Sequence, residues 1–213
     1  MRCLSYIPLL LTLALPAHAA ETTLVFGVSQ SWDKHEFDGE NTSRVVSSIH
    51  HSQHAQTNAL SLRVARSTQR MTVEAEGHIA APVALDGKTA RTVWGQRLAY
   101  KAKLQTRRLG ANLWAPVATR QDTTVSIGAG AGLRHTSGDI SGRGLDRSID
   151  DTAPYALLGA RATHKISARK SALIEARYVT SPPIRSGADA SGSRVDHEVA
   201  GLEVIVGLSL TLD

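Results

Sequence analysis

The chain has 213 residues, with 24 Lys and Arg against 19 Asp and Glu, 4% aromatic residues and one cysteine. This length allows one domain rather than two, and a lone Cys3 excludes a disulfide framework. The net charge of +5 is spread along the chain instead of gathered in one block, which excludes the usual footprint of a nucleic-acid-binding protein.

The first element runs from Arg2 through the apolar stretch Ile7 to Leu15 and ends in Pro16-Ala17-His18-Ala19-Ala20. A basic start, a short apolar core and small residues at a cleavage site predict a secretory signal peptide over 1–20. A spanning helix needs roughly 20 apolar residues, so this core is too short to remain as an anchor. The expected mature domain is 21–213.

Beyond residue 20 the apolar residues recur at period two, the spacing of strands. Eight segments follow, near 22–32, 58–66, 71–80, 92–106, 123–135, 154–163, 171–180 and 197–212. The last is the clearest, because Leu202, Val204, Val206, Leu208, Leu210 and Leu212 form one aliphatic face. Crossing the apolar layer of a membrane takes roughly 9 to 11 tilted residues, and the segments meet that length. The connections 33–57, 81–91, 136–153 and 181–196 are long, polar and rich in Gly, Ser, Asp and His. Those at 67–70 and 164–170 are tight, whereas 107–122 is longer than the alternation requires. Long loops at one end and short turns at the other predict an all-β fold, an eight-stranded antiparallel up-and-down transmembrane β-barrel. A soluble periplasmic or secreted barrel is the alternative, since parity shows two unlike faces without saying which one meets water.

Sorted by parity, one face carries Leu24, Phe26, Val28, Leu60, Leu62, Val64, Val73, Ile79, Leu98, Tyr100, Leu104, Val125, Ile127, Leu133, Leu158, Ile174 and Tyr178, with no charge. The other carries Arg63, Glu74, Glu76, Lys101, Lys103, Arg134, Arg161, Glu175, Arg177 and Glu203, interspersed with glycines. An eight-stranded barrel has an interior just wide enough for side chains. These charges are of both signs and are expected to fill it as interior ion pairs, because an isolated buried charge is costly. Gly128, Gly130 and Gly132 alternate with larger residues inside a strand, so they are expected to relieve crowding there rather than cradle a phosphate.

Two constellations carry possible chemistry. His50, His51 and His54, with His35 nearby, offer imidazoles to zinc or copper, although a polar surface loop explains them equally simply and no metal or other cofactor is expected. His135 and Ser137 stand at i and i+2, on one face of a strand, where an imidazole can activate a hydroxyl. This pair resembles the His-x-Ser element of outer-membrane lipid A deacylases, except that the Asn usually following the Ser is Gly138 here.

The run Pro154-Tyr155-Ala156-Leu157-Leu158-Gly159-Ala160-Arg161, then Leu173-Ile174-Glu175-Ala176-Arg177-Tyr178, and the closing strand from His197 to Leu212 resemble the small outer-membrane barrels of the opacity-protein and attachment-invasion type. That superfamily includes the transmembrane domain of outer membrane protein A. Such barrels usually end in an aromatic residue, whereas this sequence ends Leu212-Asp213 and is sparse in aromatics. The resemblance implies a monomeric, non-enzymatic outer-membrane protein in contact with membrane lipid and lipopolysaccharide. It also implies an adhesin-like or structural role through the loops 33–57, 81–91, 136–153 and 181–196. A narrow porin-like channel and a lipid A-modifying hydrolase using His135 and Ser137 are the alternatives.

Overall fold

The computed structural model describes residues 21–40, 46–68, 70–92, 94–142, 145–185 and 195–212. The expected signal peptide, 1–20, lies outside the described residues. The remainder is all β: β1 Glu21–Glu40, β2 Val46–Ser67, β3 Thr72–Ala80, β4 Val83–Thr92, β5 Arg97–Arg120, β6 Thr123–Gly142, β7 Leu145–Lys165, β8 Lys170–Arg185 and β9 Asp196–Thr211. Every neighbouring pair is antiparallel, and β9 pairs with β1, so the sheet closes into a ring. β3 and β4 share the neighbours β2 and β5, which makes them two halves of one stave broken at Ala81-Pro82. Proline has no N–H to give a ladder, so the stave is interrupted there. The ring therefore has the eight staves that the sequence predicts.

The hydrogen-bonded row from Leu24 passes Val64, Ala75, Ala111, Ala131, Ala156, Thr180 and Ala200 and re-enters β1 at Lys34. That offset tilts the staves strongly against the barrel axis, as closure of a small barrel requires.

The staves are far longer than a bilayer needs, up to 24 residues in β5. The predicted loops are accordingly corrected. Residues 33–40 and 46–57 continue β1 and β2, 83–91 lie within β4, 136–142 and 145–153 extend β6 and β7, and 181–185 extend β8. The expected link at 107–122 is strand as well, reversed only at Gln121-Asp122, with Gln121 in the left-handed region at φ 51°. Polar, Gly-rich sequence reads as loop by composition, yet here these described segments find ladder partners on neighbouring staves.

Alternation runs through each stave, but its polarity inverts along the axis. Near the termini the outward positions are Phe26, Val28, Leu60, Leu62, Ile79, Leu109, Leu113, Ile127, Leu133, Leu158, Ile174, Leu202, Val206 and Leu208, all substantially exposed. Soluble monomers rarely expose contiguous apolar patches above a few hundred Å², and this belt encircles the whole barrel. Further along the same staves the outward residues are Lys34, Asp38, His50, Ser52, His54, Asp86, Lys101, Lys103, Asp139, Asp146 and Asp150. The inward residues there become apolar, with Phe37, Ile49, Leu85, Tyr100, Ala102, Leu104, Ile140, Ile149, Ala153, Ile184 and Val195 forming one buried cluster. One end is thus an inside-out barrel for hydrocarbon. The other is a barrel with an ordinary hydrophobic core, standing in water.

Candidate functional site

Inside the belt the inward charges meet in one network. Arg161 straddles two carboxylates, reaching Glu74 at 2.5 and 2.8 Å and Glu175 at 2.7 Å, and its guanidinium lies 4.0 Å from the centre of the Trp114 ring. Arg177 forks onto Glu76 at 2.6 and 2.7 Å and donates from Nε to Glu203 at 2.8 Å. Arg63 donates to Glu175 at 2.7 Å and faces Glu74 at 3.6 Å. Glu203 also accepts from Ser29, His78 and Arg108 at 2.7, 2.7 and 2.6 Å. Trp114 Nε1 and Asn112 Nδ2 donate to Glu74 and Glu76. Four arginines thus meet four glutamates, so the charges balance and the lumen is filled across its width. Bidentate, charge-assisted bonds of this kind are what a buried charge needs to offset its lost hydration.

The placement of the expected interior residues is mixed. Arg63, Glu74, Glu76, Arg161, Glu175, Arg177 and Glu203 come together. Arg134 is buried above the network, donating from Nη1 to the Val199 carbonyl at 3.4 Å, and no salt bridge engages it among the described residues. Lys101 and Lys103 are corrected: both lie on the outer face, alternating with Tyr100, Ala102 and Leu104, which point inward. That part of β5 is beyond the belt, where charge faces out; Tyr100 and Leu104, expected outward, are buried for the same reason. The Leu98 side chain lies outside the described residues. Ser29, His78, Arg108, Asn112 and Trp114 were missed. The last three fall in the expected link, although Arg108, Gly110, Asn112 and Trp114 alternate with Leu109, Ala111, Leu113 and Ala115 at period two. His78 shares the parity of Glu74 and Glu76 and was legible by that rule alone.

Glycines make the network possible. A Cβ on Gly128 would run into the Trp114 ring, and one on Gly130 into the Asn112 side chain. The stave with the smallest inward residues thus receives the largest from its neighbour.

Above the network is a small chamber, about 50 Å³, lined by Asp33, His35, Thr57, His78, Arg108 and Arg134 among others. At its far side His35 Nδ1 and His197 Nε2 are 3.1 Å apart, and Phe37 stacks on His197 at 4.6 Å. The outward neighbours here are Lys34, Glu36 and Glu198, so the pair sits beyond the membrane. Burial, together with the nearby Arg134 guanidinium, holds His35 down to about 4, leaving its imidazole neutral at ordinary pH.

The other candidate histidines do not converge. Strand parity sends His51 inward, against the Tyr100 ring at 5.9 Å, and turns His50 and His54 outward. His50 pairs with Asp38 at 2.7 Å. No cluster of three metal-ligating side chains occurs among the described residues. His135 and Ser137 do share the outer face of β6, in the first polar layers above Leu133. His135 Nε2 lies 3.4 Å from Asp150 of β7, and its Nδ1 lies 3.2 Å from the Thr152 hydroxyl.

No protein-family profile and no curated protein matches the sequence. Solved structures do match the fold. The outer membrane protease OmpT from Escherichia coli aligns at TM-score 0.55 and 8% identity, over 90% of this chain and 97% of that one. OprG from Pseudomonas aeruginosa aligns at 0.53 and 14%, over 92% and 97%. A major outer membrane protein from Thermus thermophilus aligns at 0.53 and 13%, over 92% and 100%. With an apolar belt, a charge-filled lumen and these likenesses together, the chain has the fold of the small outer-membrane β-barrels, closed here by eight staves.

Proposed function

We propose that this is a surface-interaction barrel, whose projecting extension meets a ligand outside the cell, and not a channel. The observation that carries this reading is the double closure of the lumen. An ionic network fills it within the belt, and the apolar cluster around Phe37, Ile49 and Ile149 fills it beyond. What remains for function is the outer surface of the extension, a rigid platform studded with Lys34, Asp38, His50, His54, Lys101, Lys103 and Asp139. Presenting polar side chains on strands fixes them more firmly than loops would. In planar bilayers the purified protein is expected to give no steady single-channel current. Cells displaying it are expected to adhere to immobilised matrix proteins, glycans or other cells more than cells carrying an empty vector. Steady conductance, or adhesion equal to the control across the panel, would sink the reading.

A second reading is favoured by the carboxylate beside His135. Asp150 can orient the imidazole while Ser137, on the same face, supplies a hydroxyl to attack an ester carbonyl at the lipid surface. No hydrogen bond joins Ser137 to His135 among the described residues, so the ring must turn to take the serine proton. Incubation with lipopolysaccharide should then release fatty acid in mass spectra, and both His135→Ala and Ser137→Ala should abolish release. No release from the parent protein, or full release from Ser137→Ala, counts against the pair.

A further inference from the structure

On the outer face of the belt, the row Phe26, Leu62, Gly77, Leu109 and Leu133 is aliphatic or aromatic except at one position. Gly77 turns outward, and a Cβ built on it would meet nothing nearer than the Leu62 carbonyl oxygen at 4.0 Å. The missing side chain opens a groove of about 830 Å³ whose walls include Phe26, Leu62, Ile79 and Leu208, with Arg107 at its rim. Arg107 pairs with Ile79 on one side and His135 on the other, one step above Leu109 and so at the water boundary.

Its charge environment is distinctive. Lys101 stands opposite Asp86, and Lys103 opposite Asp139, so each of these outward cations has a carboxylate on a neighbouring stave. Arg107 has none opposite, and no hydrogen bond or ion pair engages its side chain among the described residues. An exposed guanidinium fork fits phosphate oxygens bidentately. Lys103 continues the same face toward water, about 13 Å further along the strand at roughly 3.3 Å per residue.

We infer that this groove binds a phosphorylated lipid of the outer leaflet, with one acyl chain laid over Gly77 and the phosphate held by Arg107. The inference rests on the outer-membrane placement and is independent of either functional reading. A lipid is the occupant because the groove lies below the water boundary, between side chains that already face hydrocarbon, while the cation stands where a headgroup phosphate would. Free phosphate would use the rim and leave the groove unused.

The test is native mass spectrometry of the full barrel from detergent, after equilibration with lipid A or with its dephosphorylated form. The parent protein should retain lipid A at least tenfold more than the dephosphorylated lipid. Arg107→Gln and Gly77→Phe should each lower retention at least tenfold, and excess inorganic phosphate should not displace the lipid. Undiminished retention by either variant, equal retention of the dephosphorylated lipid, or displacement by phosphate would overturn the site. A heat-induced gel shift verifies folding of each variant, and Gly77→Leu substitutes for Gly77→Phe should the latter not fold. Loss of the shift in the parent protein would instead overturn the membrane placement itself, a separate result.

Discussion

Glu203→Ala is expected to destabilise the barrel by about 3 to 5 kcal/mol, the usual consequence of removing one partner from a buried charge cluster. Glu203 accepts from Ser29, His78, Arg108 and Arg177. Its loss leaves Arg108 with no carboxylate partner among the described residues, and leaves the buried Nε of Arg177 without its acceptor. Glu203→Gln should fall between the two, since an amide oxygen still accepts hydrogen bonds but no longer neutralises. The measurement is a urea titration of the refolded protein in detergent micelles or vesicles, read by the folded and unfolded bands of an unboiled gel. A Glu203→Ala midpoint equal to the parent's would show that the network fills space without stabilising the barrel.

The second large effect comes from the reversal of polarity along β2. Leu62 and His54 share its outer face, yet Leu62 belongs to the belt and His54 to the extension. Leu62→Arg places a guanidinium in hydrocarbon and is expected to lose about 2 to 4 kcal/mol, as for cations near the midplane of a transmembrane barrel. His54→Arg should leave the titration midpoint unchanged. The inward position Ile49, fully buried in the apolar cluster of the extension, completes the test. Ile49→Ala should lose roughly 2 to 5 kcal/mol through the cavity it leaves. If Leu62→Arg and His54→Arg were equally tolerated, the belt would not be embedded and the barrel would be a soluble one.

The number of staves, their antiparallel order and the network residues on β2, β3, β7, β8 and β9 were legible in the sequence, because period two and sign-mixed parity are local properties. Glu74 and Glu76 could be placed on one face from their spacing alone, and inward from the mixed signs of the charges that share that face. The same rule failed at Lys101 and Lys103, where alternation was read correctly but the meaning of each face had changed. Tyr100, Ala102 and Leu104 form an inward apolar row only because Phe37, Ile49, Ile140 and Ile149 arrive from other staves to meet them. Nothing within β5 announces those neighbours. The link expected at 107–122 failed for a related reason: of the adjacent pair Arg107-Arg108, one member faces outward at the upper edge of the belt and the other inward to Glu203.

His135 and Ser137 show the same division at the candidate site. Their common face followed from the i, i+2 spacing, whereas Asp150, 15 positions further on, is brought to His135 only by the β6–β7 register.

Sequence by itself therefore determined an all-β chain of eight staves with two chemically distinct faces, since alternation and turn spacing are written within each strand. Only the tertiary structure decided where membrane ends and water begins, which carboxylate neutralises which arginine, and that much of the described polar sequence is wall instead of loop. Those depend on stagger between staves, which closure of the ring imposes and no single strand contains.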